Sequence, residues 1–146
     1  MFDAQAFSQQ QFERRQAEVS LPDLAPFFPD DEKPVFVVQM LGAEELSIAD
    51  EATQKHAILT EITTKLAAGS APEKAAALAE ALGISSDDIP ARLKKEMEHV
   101  RLGLVSPQLD LQQVQKLARH YPIPFRQLHN KIMELTGQGA TAKAKP

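Results

Sequence analysis

From Leu41 to Gly137 apolar residues recur every three or four positions, with charged residues between them and Gly or Pro at the joints. Residues 43–68 align Leu46, Ala49, Ala52, His56, Leu59, Ile62 and Leu66, and set Glu45, Asp50, Glu51, Lys55, Glu61 and Lys65 off that line. This predicts an amphipathic helix ending at Gly69. Ser70-Ala71-Pro72-Glu73 has the spacing of a capping box with Pro in the first turn, and predicts a short alanine-rich helix over 73–82 that stops at Gly83. Asp88 and Pro90 open a third helix with the stripe Ile89, Leu93, Met97, Val100 and Leu104, most of whose charged residues (Arg92, Lys94, Lys95, Glu96, Glu98) fall off that stripe. Asp110 and Gln113 form a second capping box, flanked by Leu109 and Val114 as a hydrophobic staple. Leu111, Val114, Leu117 and Ala118 then face inward until Tyr121-Pro122. Pro124 is expected to open the last helix, with Phe125, Leu128, Ile132 and Leu135 inward and Gly137 as its end.

The first third reads differently. Val19-Ser20-Leu21 and Val35 to Met40 are the strand-like stretches, expected to pair as a hairpin around PDLAPFFPDDEKP, a connection with room for one helical turn carrying Phe27 and Phe28. Phe2, Phe7 and Phe12 recur every five residues, which fits neither a helix face nor a strand face and predicts an arm or an irregular helix. The expected architecture is mainly α: a compact bundle of about five helices with a small N-terminal β-hairpin and a flexible N-terminal arm. The arm covers 1–17, a single mostly helical domain covers 18–137 (hairpin 18–40, helices 43–137), and 138–146 forms a disordered tail.

Composition narrows the chemistry. The 146 residues include no Cys, so disulfides, thiolate zinc sites, iron–sulfur clusters and cysteine nucleophiles are excluded, and a reducing cytoplasm fits. No stretch approaches the roughly 20 apolar residues of a membrane span, and MFDAQAFSQQ lacks the features of a signal peptide. The net charge of −4 conceals an asymmetry. Residues 1–52 hold 11 acids and 3 bases, whereas residues 53–146 hold 9 acids and 13 bases. Six of the seven Phe also lie in the first 36 residues, so the chain has two unlike parts.

No phosphate loop, dinucleotide fingerprint, zinc-protease, EF-hand or nucleophile-elbow motif is present, and no catalytic, cofactor-binding or metal-ligating residue is assigned. The four histidines lack metal-ligand spacing; His56 reads as a hydrogen-bonded structural residue, and His99 and His129, beside charged positions, read as solvated. The acidic pairs Asp30-Asp31, Glu44-Glu45 and Asp87-Asp88 read as surface or helix-start charges rather than acid/base pairs. Arg92, Lys94, Lys95, Arg101, Lys116, Arg119, Arg126 and Lys131 make the C-terminal helices modestly basic, but interleaved acids and a lack of stacking aromatics favour a solvated face, or a face for an acidic protein, over nucleic acid.

The phenylalanines are the candidate protein-binding residues: Phe2, Phe7, Phe12, Phe27, Phe28 and Phe36. The last three also suit a core over the hairpin. The first three suit docking on a neighbouring copy or a partner. An acidic front and a basic remainder fit head-to-tail association, which removal of residues 1–17 would abolish while leaving the helical fold intact.

The order of segments adds a resemblance. Phe12-x-x-Arg15, Val19-Ser20-Leu21-Pro22-Asp23-Leu24 with Phe27-Phe28, and Pro34-Val35-Phe36-Val37-Val38 leading to Leu41-Gly42-Ala43-Glu44-Glu45-Leu46 are followed by Ser106-Pro107 between two helices. Tyr121-Pro122-Ile123-Pro124-Phe125-x-x-Leu128 and Leu135-Thr136-Gly137-Gln138-Gly139 complete the series. Together, over about residues 12–139, they resemble the tail assembly chaperones of long-tailed bacteriophages and prophages. Phe36 stands where a Trp is frequent in that family, and Gln39-Met40 where Arg-Gly is frequent. The resemblance implies a small, mostly helical, non-enzymatic protein of the host bacterial cytoplasm, absent from the mature virion and without a cofactor. It would bind the tape measure protein, keep its hydrophobic helices soluble, help recruit tail tube subunits and self-associate. A ribosomal frameshift makes a longer product in many such phages, and Gly137 to Pro146 would be its junction. The alternative is a small helical regulator or nucleic-acid adaptor using the basic C-terminal helices.

Overall fold

A computed structural model describes residues 1–68 and 89–142, apart from the side chains of His56, Thr63 and residues 66–68. The helix expected over 73–82, the Asp88 cap and residues 143–146 lie outside the described residues, as do the side chains of the stripe positions His56 and Leu66.

The described chain is mainly helical with two small antiparallel sheets. In order it contains α1 (Ala4–Gln9), β1 (Phe12–Glu13), β2 (Gln16–Ser20), a 3-10 turn (Pro22–Phe27) and β3 (Val35–Gln39). Then come α2 (Ala43–Ala68), α3 (Ala91–Gly103), β4 (Leu104–Ser106), α4 (Leu111–His120), α5 (Pro122–Gln138) and β5 (Thr141–Ala142).

The hairpin forms as expected and gains a partner. β2 and β3 pair from Gln16↔Gln39 to Ser20↔Val35. This register sets Ala17 and Val19 opposite Val38 and Phe36 on the inner face, in keeping with a period of two. The connection holds the 3-10 turn, whose Leu24 is buried and which leaves Phe27 outside. On the far side of β3 lies β4, so β3 is the central strand. Leu104 thus belongs to a strand and not to the stripe of the preceding helix. It is buried either way, which is why the helical pattern ran through it.

α3 departs most from the expectation of a one-sided stripe. Glu96, Met97, Glu98, His99 and Val100 are all buried, five positions in succession, so more than one face of the helix is covered. α2 packs along it, and α4 and α5 cover it from the other side. The buried carboxylates are matched by cations: Arg126 lies 3.0 Å and Arg92 3.5 Å from Glu96, and Arg101 2.7 Å from Glu98. At the end of α3, a Cβ on Gly103 would stand 2.5–2.9 Å from three side-chain atoms of Ile132, so glycine permits the close approach of α3 and α5.

The capping box at Asp110 forms in full, with Gln113 N donating to Asp110 Oδ1 at 2.8 Å and Asp110 N to Gln113 Oε1 at 2.9 Å. α5 begins at Pro122 rather than Pro124. Both prolines fit, because the N–H groups of a first turn have no intrahelical acceptor. It runs past Gly137 to Gln138 and stops at Gly139, which has φ +78° and donates to Leu135 and Thr136 carbonyls.

The tail expected to be disordered from residue 138 is partly placed. Thr141 and Ala142 pair with Glu13 and Phe12, and Arg15 donates to Gly139 O at 3.1 Å. The arm is joined to the rest of the chain by this pairing and by the ion pair of Arg14 with Glu45, and its last two residues, Gln16 and Ala17, belong to β2. Burial raises the Glu45 carboxyl, but hydrogen bonds from backbone N–H groups and the Arg14 guanidinium outweigh this and hold it below the usual carboxylate range.

Candidate functional site

Two aromatic surfaces emerge from the six candidate phenylalanines. Phe2, Phe7 and Phe12 form a ladder with ring centres 5.4 and 5.3 Å apart. A spacing of five gathers them because each belongs to a different piece of backbone: Phe2 precedes α1, Phe7 lies within it and Phe12 follows it in β1. Asp3 caps α1 by accepting from Ala6 N, which fixes the first bend. All three rings remain exposed, at 72%, 54% and 46%, and α1 buries no residue.

The other three phenylalanines line an open groove of about 880 Å³ between the 3-10 turn, β3, the segment after β4, and α4. Phe36 is buried and forms its floor, as the core reading anticipated, and Phe28 packs on it with ring centres 6.0 Å apart. Phe27 stands 72% exposed at the edge and meets Tyr121 edge to face at 6.3 Å. Leu24, Leu109 and Leu117 complete the apolar walls, Lys116 supplies a charge and His120 a polar ring; no Asp or Glu lines the groove. Sequence reasoning missed Leu109, Leu117 and Tyr121 as site residues, since each sat at a cap or stripe position with a structural role. The available signal was the crowding of Phe27-Phe28 beside a hairpin too small to bury both.

The acids interleaved among the basic residues of the C-terminal helices pair with most of them. Of the eight cations, Arg92, Lys94, Lys95, Arg101, Arg126 and Lys131 stand within ion-pair distance of Glu96, Glu98, Asp50, Glu98, Glu96 and Glu134, respectively. His99 and His129 are not solvated: His99 is 5% exposed, His129 is half-buried, and their rings meet between α3 and α5. The expectation failed because flanking charges along a helix do not report what packs across from it.

Among the described residues, no group of three or more His, Cys, Asp or Glu is arranged to hold a metal ion, and no helix is long and apolar enough to cross a membrane. Comparison of the chain with protein-family models, with curated proteins and with solved structures gave no match.

Proposed function

We propose that this chain is an assembly chaperone of the long-tailed phage type, which binds the tape measure protein, keeps it soluble and helps recruit tail tube subunits. The observation that carries the reading is the groove edged by Phe27 and Tyr121. Its volume of about 880 Å³ is that of about two turns of a helix roughly 10 Å across. An amphipathic helix laid in such a groove buries its apolar face against the aromatic walls. Lys116 at the groove favours a partner helix whose polar flank is acidic. The Phe2–Phe7–Phe12 ladder offers a second contact, for another copy or for a tube subunit, and the order of sequence segments supports the same assignment.

The direct test is co-expression with the tape measure protein of the same genome. The wild-type chain should keep that protein in the soluble fraction, and Phe27→Asp should not, although its exposure means the fold tolerates it. A tape measure protein equally soluble without this chain would end the proposal. The adaptor reading would draw on cations that are mostly engaged with carboxylates. It requires DNA or RNA retention that falls steeply between two salt concentrations, which the chaperone reading does not.

A further inference from the structure

The joint between α3 and α5 contains a pair of histidines that the proposed function does not use. His99 Nδ1 and His129 Nε2 are 3.2 Å apart, the ring centres are 5.4 Å apart, and the planes differ by 21°. The two distances differ by close to twice the span from an imidazole centre to its own nitrogen. The nitrogens therefore point at each other along the line of centres, in an end-to-end N–H···N hydrogen bond and not a face-to-face stack. Such a bond requires one facing nitrogen to carry hydrogen and the other to be bare. The outward nitrogens, His99 Nε2 and His129 Nδ1, are buried, and no hydrogen bond of good geometry reaches either.

We infer that this pair is an acid-sensitive latch that holds α5 on α3 and, through α5, holds the aromatic arm. A first added proton places a charge in a joint whose burial disfavours it. A second makes both facing nitrogens donors at hydrogen-bond distance, and the rings must part. The surrounding charges oppose one another: Asp50 from α2 and Glu96 from α3 favour the protonated rings, whereas Lys95 and Arg92 from α3 and Arg126 from α5 disfavour them. Burial decides the balance, and both histidines titrate below their ordinary value of 6.5.

The consequence reaches the arm because α5 is its anchor. Thr136 Oγ1 accepts from Leu41 N at 2.9 Å, Gly139 O accepts from Arg15, and β5 directly after α5 is the strand that pairs with Phe12 and Glu13. Loosening α5 therefore loosens the tether of the Phe ladder.

The direction of the pH effect follows from proton counting. The unfolded chain binds protons at these positions below pH 6.5, and the folded chain does so only at lower pH. The stability contributed by the neutral pair is thus complete above 6.5 and is lost as pH falls toward the folded values. In that window the unfolding constant rises by up to about tenfold per pH unit for each histidine.

Two measurements on the full chain test the latch, and neither depends on the chaperone reading. In urea unfolding between pH 7.5 and 5.5, the wild-type unfolding constant should rise at least tenfold on acidification, and that of His99→Leu/His129→Leu by less than threefold. NMR titration of the wild-type histidines is independent of whether that variant folds. Both rings should titrate below 6.5, and the amides of residues 129–136 should lose protection together with those of Phe12, Glu13, Thr141 and Ala142. Either ring titrating at or above 6.5, equal acid sensitivity in the variant, or undiminished protection of those amides would overturn the latch.

Discussion

From Glu96 to Val100 every position is enclosed, glutamates included, whereas the helix from Ala4 to Gln9 buries nothing. The charge-rich helix is the enclosed one and the uncharged, Phe-bearing helix is the exposed one, so composition does not predict which is buried. What differs is where the stabilisation comes from. α3 is held by packing on several sides and by cations that compensate its carboxylates. α1 is far too short to be stable alone, and rests on one side-chain cap, two ring contacts and the strand pairing just after it. The chain thus encloses Glu96 and His99 while leaving Phe2, Phe7, Phe12 and Phe27 exposed, the apolar surface on which the proposed docking draws.

The comparison can be broken most forcefully at the enclosed end. Ile132→Ala should cost about 2–5 kcal/mol in urea unfolding, the range for a large aliphatic truncated in a packed core. Gly103→Ala should cost about 1–3 kcal/mol by overpacking. The double variant should cost clearly less than the sum, because alanine at 132 removes the three atoms that the new Cβ would strike. Strict additivity would mean that the two sites do not meet. Arg101→Ala, which takes from buried Glu98 its closest cation, should cost about 1–3 kcal/mol by the same assay. Next in size is Asp110→Ala, about 1 kcal/mol through loss of the capping box.

The smallest effect on stability is expected at the open end, and it sharpens the contrast. Phe7→Ala should change unfolding by less than about 1 kcal/mol, the scale of exposed ring contacts, while reducing association with another copy or a partner in light scattering. A cut meant to remove only the arm belongs after residue 11. Removing residues 1–17 would also take Gln16 and Ala17 out of β2 and Arg14 and Arg15 out of their contacts with Glu45 and Gly139.

The elements legible in the sequence were those written in local chemistry. The Asp110–Gln113 box, the β-branched and aromatic run of Val35 to Val38 and the turn at Pro22 each depend on neighbours a few residues away. β4 was not legible, since three residues ending a helical pattern carry no period of their own. Nor was the pairing of Phe12–Glu13 with Thr141–Ala142, which joins segments more than 120 residues apart through strand pairing and the Thr141 hydroxyl, which donates to Glu13 O. The enclosure of α3 left one trace: the four-residue spacings Arg92–Glu96 and Lys94–Glu98 are what buried carboxylates need, but solvated helices use them equally. Of the binding surface, the phenylalanines were visible as a surplus. The groove was not, because its walls come from segments that meet only after the hairpin and α4 have packed.

The pairing of β1 with β5 carries a practical corollary. A purification tag, fluorophore or extra segment joined after Pro146 starts within a few residues of Ala142, beside Phe12 and the exposed ladder. Such an addition would shield or compete for the surface whose partners are being sought. A donor and acceptor dye placed on the two termini would instead convert the state of that tether into an optical signal.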